Sequence, residues 1–478
     1  YLPEHPDADK LFAFELRRDC GARPFCKEIA TEFPGVPLDE SLFFIFRTYM
    51  NPGLSVSPDH DEVLAERVIV VREEPPQRPI DDPFALPPEH APQGDEFMVV
   101  VLPDTQIYAQ SFPETFESQL KWIADYAEVY NIVFVSHVGD VVQTGSVTAQ
   151  WDVARAAFDW IEDLDLPHGF SIAAHDISGS HGADVDTSCA TFGDLDCDAK
   201  QFMSRFGPQQ YVDRPWYVGA SPTGLSSLQR VVVGELELLF LHLPQDTPTA
   251  EVDWAQEQLD AYPGALVHLT THRYLFDYRL TDVLPAPLNL FPDGGRFDTT
   301  LYELGGQSLR YLDGIEADTL FADFISANPN IWMVQCGHVD SEYRQASTNS
   351  AGLPVYELLS DFQNMSDGGG GWLRLHTYSP SKNQVRITTF STLTGAIREN
   401  GEGFDHSIDI LDDYQAFAAD VLAAFNLNQE DIDSYLTLLR TEGTLERQTF
   451  YDSLYAEGAR DSQMVLDVNF QAYMDASR

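Results

Sequence analysis

The stretch Val133-Phe-Val-Ser-His-Val-Gly-Asp-Val-Val142 decides the fold. Val133 to Val138 is rich in β-branched and aromatic residues, which suits a strand covered on both faces of a sheet. Gly139 lets the backbone turn sharply. Asp140 is then delivered at the C-terminal edge of the strand, where open α/β sheets place ligands and chemistry.

Outward from this strand the pattern repeats. Upstream, Phe97 to Leu102 is a continuous apolar run that ends in Pro103-Asp104-Thr105-Gln106. Between the two runs, Phe116, Leu120, Ile123, Ala124 and Ala127 recur at helical spacing. Downstream, Trp151 to Leu164 reads as an amphipathic helix with Ala154, Ala157, Phe158 and Ile161 inward. Gly169 to Ala174 reads as a third strand and ends in His175-Asp176. The result is β-α-β-α-β at about 35 residues per unit, as right-handed parallel crossovers require. Further on, Leu228 to Val233 and Leu236 to His242 predict a hairpin turning at Gly234-Glu235. Trp254 to Leu259 and Leu320 to Ala327 predict helices. Strands are expected at Leu266 to Thr270, Ile331 to Cys336 and Val355 to Leu359, then a hairpin from Trp372 to Tyr378 and Gln384 to Phe390.

Polar groups stand at successive strand ends: Asp104, Asp140, His175, His272 and His338, with Asp340 two residues beyond the last. Carboxylates and imidazoles converging on one sheet edge are what a divalent metal site requires. The motifs Asp104-Thr-Gln106, Gly139-Asp140, Ala173-Ala-His-Asp176, Thr271-His272 and Gly337-His-Val-Asp340 resemble, in that order, the calcineurin-like metallophosphoesterase family. The likeness covers about residues 97 to 395 and includes Asp361-Phe-Gln363 and Gly371-Trp-Leu-Arg374.

The resemblance implies an α/β fold, a four-layer αββα sandwich, with one or two divalent ions (Mn, Fe, Zn, Mg or Ca). It implies that Asp104 binds the first ion, that Asp140 bridges both, and that His272 and His338 bind the second. It makes His175, oriented by Asp176, the acid that protonates the leaving group. Three positions depart from the family pattern. Gln106 replaces a usual His and offers an amide oxygen. Ala174 replaces a usual Asn ligand and has no donor atom, with His181 in the following loop as a candidate substitute. Asp340 replaces a usual His, and as a hard oxygen ligand it favours Mn²⁺, Mg²⁺ or Ca²⁺ over Zn²⁺. The expected activity is hydrolysis of phosphate mono- or diesters. The alternative is a catalytically weakened or inactive scaffold used for extracellular assembly or interaction.

Composition bounds the rest. Seventy-six acidic residues against 28 basic ones give a formal charge of −48 over 478 residues. Such a surface repels nucleic acid and anionic membranes. No run of apolar residues is long enough for a membrane span. Cys20 with Cys26, and Cys189 with Cys197, are each close enough to close a small disulfide loop, while Cys336 sits in an apolar strand as a buried thiol. That usage predicts an oxidising, secreted setting. Residues 1–73 read as an N-terminal appended region without evident chemistry, and 74–95 as a stiff Pro-rich linker. The phosphoesterase domain is expected over 96–398. Residues 399–478 are expected to form an acidic helical region, with self-assembly through the terminal regions. The loops at 177–227 and 282–312 would set specificity. The Asp194-Leu-Asp-Cys-Asp198 run within the first of them is a weak candidate for Ca²⁺.

Overall fold

The computed structural model describes residues 82–177, 199–276, 295–297, 314–398 and 461–478, with the backbone of four strands nearer the N-terminus. The chain divides into two compact units, 1–82 and 83–478. In the first unit, β1 (Phe12–Arg18), β2 (Glu28–Ile29), β3 (Leu42–Tyr49) and β4 (Val63–Val71) form an antiparallel sheet in the order β2-β1-β3-β4.

The second unit carries the predicted crossovers. β5 (Phe97–Leu102), β6 (Ile132–His137) and β7 (His168–Phe170) run parallel, in register Val101 to Ser136 and Ser136 to Gly169. All six residues of β5 are buried, as its unbroken apolar run predicts. β7 is shorter than expected, because the chain turns at Ala174–Asp176 into one turn of 3₁₀ helix. The hairpin β15 (Trp372–Ser379) and β16 (Gln384–Ser391) adds to β5 and extends this sheet. β17 (Gln463–Asp467) pairs antiparallel with β16 and completes six strands.

The other sheet has seven strands. β8 (Tyr217–Ala220), β9 (Ser227–Val233) and β10 (Leu236–His242) are antiparallel, with the expected turn at Gly234. β10, β11 (Leu266–Thr270), β12 (Ile331–Cys336) and β14 (Pro354–Ser360) are parallel, and β13 (Glu342–Thr348) closes the edge.

Three apolar layers bind these sheets together. Helices α1 (Pro113–Tyr126) and α2 (Thr148–Glu162) lay Phe116, Leu120, Ile123 and Phe158 on the outer face of the six-stranded sheet. Between the sheets, Phe97, Val99 and Phe134 meet Leu238, Phe240 and Leu266, and the Phe134 and Phe240 rings stack across the interface. On the far side, α3 (Thr249–Asp260) and α4 (Ala317–Leu320, continued by a wider turn over Phe321–Ile325) cover Val267, Leu269 and Val334. The order helix, sheet, sheet, helix is the αββα sandwich.

Two expectations about the flanks change. The described part of the Pro-rich stretch, 83–95, is a strap on the second unit. Trp122 Nε1 donates to Phe84 O at 2.8 Å and the Leu86 amide donates to Tyr130 Oη at 2.7 Å. Proline lacks a donor, so side chains of the domain supply the bonds that hold this segment. The terminal region is also not wholly a helical appendage. Residues 461–478 supply β17 and a short helix, Phe470–Ala476, whose Phe470 and Tyr473 enter the core between the sheets. Residues 399–460 lie outside the described residues. So do Cys20, Cys26, His181, Cys189, Cys197, the Asp194 to Asp198 run and most of the 282–312 loop. Cys336 is a buried free thiol, as expected. No helix among the described residues is long and apolar enough to cross a membrane.

Candidate metal centre

The C-terminal ends of β5, β6, β11 and β12 meet at one edge and bring Asp104, Asp140, His272 and His338 together. One ligand atom from each of Asp140, His272 and His338 lies within 4.8 Å of the others. His272 Nε2 is 3.0 Å from Asp140 Oδ2 and 3.7 Å from Asp104 Oδ2. The His338 amide faces Asp104, at 3.2 Å from Oδ2 and 3.4 Å from Oδ1.

Tight backbone turns make this convergence possible. Asp140 and His338 both have positive φ, 51° and 78°. Such conformations in non-glycine residues cost about 1–3 kcal/mol and concentrate at functional sites. The glycine before each is required for space. A Cβ on Gly139 would lie 2.8 Å from His272 Nδ1, and one on Gly337 would lie 2.0 Å from Asp104 Oδ1.

A small relay braces the first turn. The Gly139 amide donates to His137 Nδ1 at 3.1 Å, which makes Nε2 the protonated nitrogen, and that faces Thr105 Oγ1 at 2.9 Å. Thr105 in turn donates to Val141 O at 3.1 Å. Burial lowers the His137 pKa to about 3, so the ring acts here as a neutral brace.

The site fits a divalent cation on its own chemistry. His272 Nδ1 donates to Val138 O at 3.1 Å, leaving the buried Nε2 without a hydrogen-bond partner while it faces two carboxylates. A lone pair turned toward carboxylates is unfavourable unless a cation lies between, either the proton of an imidazolium or a metal ion. Burial, aided by the charges of His272 and Arg273, holds His338 well below the ordinary imidazole range, hence neutral and able to ligate. For Asp140, burial works toward protonation, but His272 first and then His175 hold its carboxyl well below the usual range. Asp104 is pushed well above that range by burial and by its neighbours Asp361 and Asp140. Asp361 is pushed up by burial and by Asp340 and Asp140.

Asp176 is also raised, by burial and then by Asp140. Its oxygens accept from the Val142 amide at 3.2 Å and the Ala173 amide at 3.1 Å, so its carboxyl ties the two site loops to each other. His175 is held differently from the expectation. Its amide donates to Asp140 Oδ1 at 2.9 Å, and its Nδ1 donates to Gln143 O at 2.7 Å. The ring is thus oriented by a peptide carbonyl. Ala174 has no side-chain donor, and its amide is bound by Gln245 Oε1 at 3.1 Å. Asp340 accepts a hydrogen bond from Asn364 Nδ2.

Sequence reasoning passed over Asp361 and Gln363 as site residues, although they stand in the stretch that carried the resemblance. It also passed over His137, whose place in an otherwise apolar strand three residues before Asp140 was an available signal. Arg273 lies beside His272 and makes a buried two-pronged ion pair with Asp246. No motif pointed to that pair.

A pH effect follows from the raised carboxyls. Where folding raises an acid's pKa, the folded state holds more protons than the unfolded one between the two values, so stability falls as pH rises through that interval. Asp104, Asp361 and Asp176 all have this sign, with the ordinary carboxylate range as the lower bound. Depressed Asp140 acts only below that range. Chelation is therefore expected to lower the melting temperature more at pH 8 than at pH 5. Thermal melts with and without EDTA at both values check this, and equal shifts would refute it.

No family model matches the chain. The uncharacterised protein YvnB of Bacillus subtilis (strain 168) is 24% identical over 309 residues, covering 63% of this chain and 20% of that protein. The chain thus spans about a fifth of the curated relative it matches. Among solved structures, the purple acid phosphatase PPD1 from yellow lupin seeds is similar at a TM-score of 0.39 and 11% identity, covering 75% of this chain and 58% of that one. GAP50, the anchor in the inner membrane complex of Plasmodium, is similar at 0.35 and 13%, covering 68% and 94%. A dimetal phosphatase from Danio rerio is similar at 0.32 and 7%, covering 61% and 95%. Layer order and strand register, rather than likenesses of this size, establish the fold. It is a four-layer αββα sandwich, with a cluster of side chains at its strand ends that could hold a metal ion.

Proposed function

We propose that this chain is a metal-dependent phosphoesterase that hydrolyses phosphate mono- or diesters. The observation that carries the reading is the cluster of buried Asp140 and His272 with half-buried His338, and Asp104 beside it. Divalent ions, when bound, supply Lewis acidity and lower the pKa of water. The chain's own residues do the rest. Asp140 places negative charge beside His272 Nε2 and holds His175 through the His175 amide. Val138 O fixes the His272 tautomer so that Nε2 offers its lone pair. Gln143 O holds one proton on His175 Nδ1, so Nε2 acts as the acid only when a second proton makes the ring an imidazolium; that Nε2 proton goes to the departing alkoxide and the ring returns to the neutral Nδ1–H form.

The test is hydrolysis of a chromogenic phosphomonoester and a phosphodiester with added Mn²⁺. In His175→Ala, kcat is expected to fall about 10²- to 10⁴-fold, the usual worth of a general acid, with metal content unchanged. Undiminished turnover in that variant would remove His175 from the mechanism.

A second reading, a weakened scaffold, is favoured by Ala174, whose side chain offers no ligand where the family usually has one. Ala174→Asn distinguishes the two. An inert native protein that gains metal and turnover with Asn supports the scaffold reading, and a native protein already holding two ions counts against it.

A further inference from the structure

The 282–312 loop, expected to set specificity, is described at Gly295, Arg296 and Phe297. These three residues lie against the chain that runs on from β11. The Phe276 amide donates to Gly295 O at 2.6 Å, and the Phe297 amide donates to Tyr274 O at 2.9 Å. Gly295 is required for space, since a Cβ there would lie 2.4 Å from Tyr343 Cε1. Arg296 secures the segment. Its Nε and Nη2 donate to the two oxygens of Glu357, on β14, at 2.8 and 2.9 Å. Its Nη1 donates to Asp318 at 3.2 Å, and the guanidinium lies 3.6 Å from the centre of the Phe321 ring. Glu357 is fully buried, so withdrawing Arg296 would strand a charge in the interior. Phe297 is thereby delivered to the edge of the metal cluster. Its ring meets the His338 ring nearly at right angles, at 76° and 5.9 Å between centres. The His272 ring meets His338 in a similar way, at 71° and 5.2 Å. The Arg273 guanidinium, itself held by Asp246, lies 4.8 Å from the centre of the Phe297 ring.

We propose that Phe297 is a positioning residue for His338, and that Arg296 acts through it. The inference rests on the metal-centre reading above and adds a part to it. His338 stands on a turn of positive φ and is half-buried, so backbone and burial alone do not settle its ring. Gripped between His272 and Phe297, the imidazole is oriented before an ion arrives. A ligand ordered in advance costs less to bind. Side chains that orient a ligating imidazole also tune its hold on the metal. The loop thereby governs the centre through a phenyl ring.

The experiment strips the full chain with a chelator and titrates it calorimetrically with Zn²⁺, an ion that imidazole suits, below each variant's melting temperature. Phe297→Ala is expected to weaken Zn²⁺ binding about 10- to 100-fold, the usual loss when the support of a ligand goes. Phe297→Leu, which refills much of the volume, should recover most of it. Phe324→Ala is the control. Phe324 is buried in the same apolar cluster, so its loss should lower the melting temperature and leave Zn²⁺ affinity alone. Arg296→Lys keeps a charge for Glu357 but not the two-pronged bond. It should weaken Zn²⁺ binding as well, and add nothing in the Phe297→Ala background, because residues that act through one another are non-additive. Native affinity in folded Phe297→Ala, an equal loss in Phe324→Ala, or additive losses at 296 and 297 would overturn the proposal and leave the metal-centre reading intact. Where the alanine variant does not fold, undiminished affinity in Arg296→Lys overturns it. A native chain that binds no Zn²⁺ defeats both.

Discussion

Asp140→Asn is expected to abolish metal binding and phosphoester hydrolysis together while leaving the fold intact. The backbone at residue 140 has positive φ, and Asn is among the few residues that adopt this conformation readily, so the turn should survive. The charge would not. Asp140 faces His272 Nε2 at 3.0 Å and accepts the His175 amide at 2.9 Å. It is also the carboxylate that its imidazole neighbours hold ionised despite burial. Removing one member of a buried charged set costs about 3–5 kcal/mol, or roughly 10²- to 10⁴-fold in affinity for a cation. Calorimetric titration of the chelated protein with Mn²⁺ and with Zn²⁺, beside turnover assays, measures both losses. Native affinity for both ions in this variant would dismiss Asp140 as the shared ligand.

Glu342→Ala is expected to be the most destabilising single change in the second unit, at about 3–5 kcal/mol, because it strands two buried guanidinium groups. The Glu342 carboxylate takes Arg374 Nη2 at 3.2 Å and Thr389 Oγ1 at 2.5 Å on one oxygen. Its other oxygen takes Arg398 Nε at 2.8 Å and the Ser462 hydroxyl. Arg374 and Arg398 are both buried, and Arg374 Nε and Nη1 are already without hydrogen-bond partners. This one carboxyl connects β13, β15, β16 and the segment that contains β17. Urea unfolding followed by tryptophan fluorescence should show an earlier midpoint. Limited proteolysis should cut first near residue 461. An unchanged midpoint would mean that another group balances the two cations.

The parallel core was legible because its strands are buried on both faces and read as unbroken apolar runs. The site was legible where a motif residue itself stands in the cluster, as at Asp140, His272 and His338. What escaped was held by pairing alone. β13, Glu-Tyr-Arg-Gln-Ala-Ser-Thr, has little apolar character because it is an edge strand, and its Glu342 and Arg344 serve ion pairs. β17 alternates buried Met464 and Leu466 with outward Gln463, Val465 and Asp467, a signal of only five residues. Asp361 was quoted as part of a motif, but its bond from Gln363, and the bond from Gln106 to Gln363, are contacts that sequence spacing cannot show. The bond from Gln143 O to His175 is likewise a main-chain contact, indifferent to residue type.

The position of β17 has a consequence for how the protein is made. β16 ends at Ser391, and its partner begins only at Gln463. A ribosome delivers the chain from the N-terminus, so every strand bearing a proposed metal ligand emerges while the edge of β16 still lacks its partner. An unpaired edge is a template for the wrong neighbour. Until residue 467 has been synthesised the nascent sheet is exposed to misassembly, and a message that stops short of it would yield a chain with all of its proposed metal ligands and an open seam.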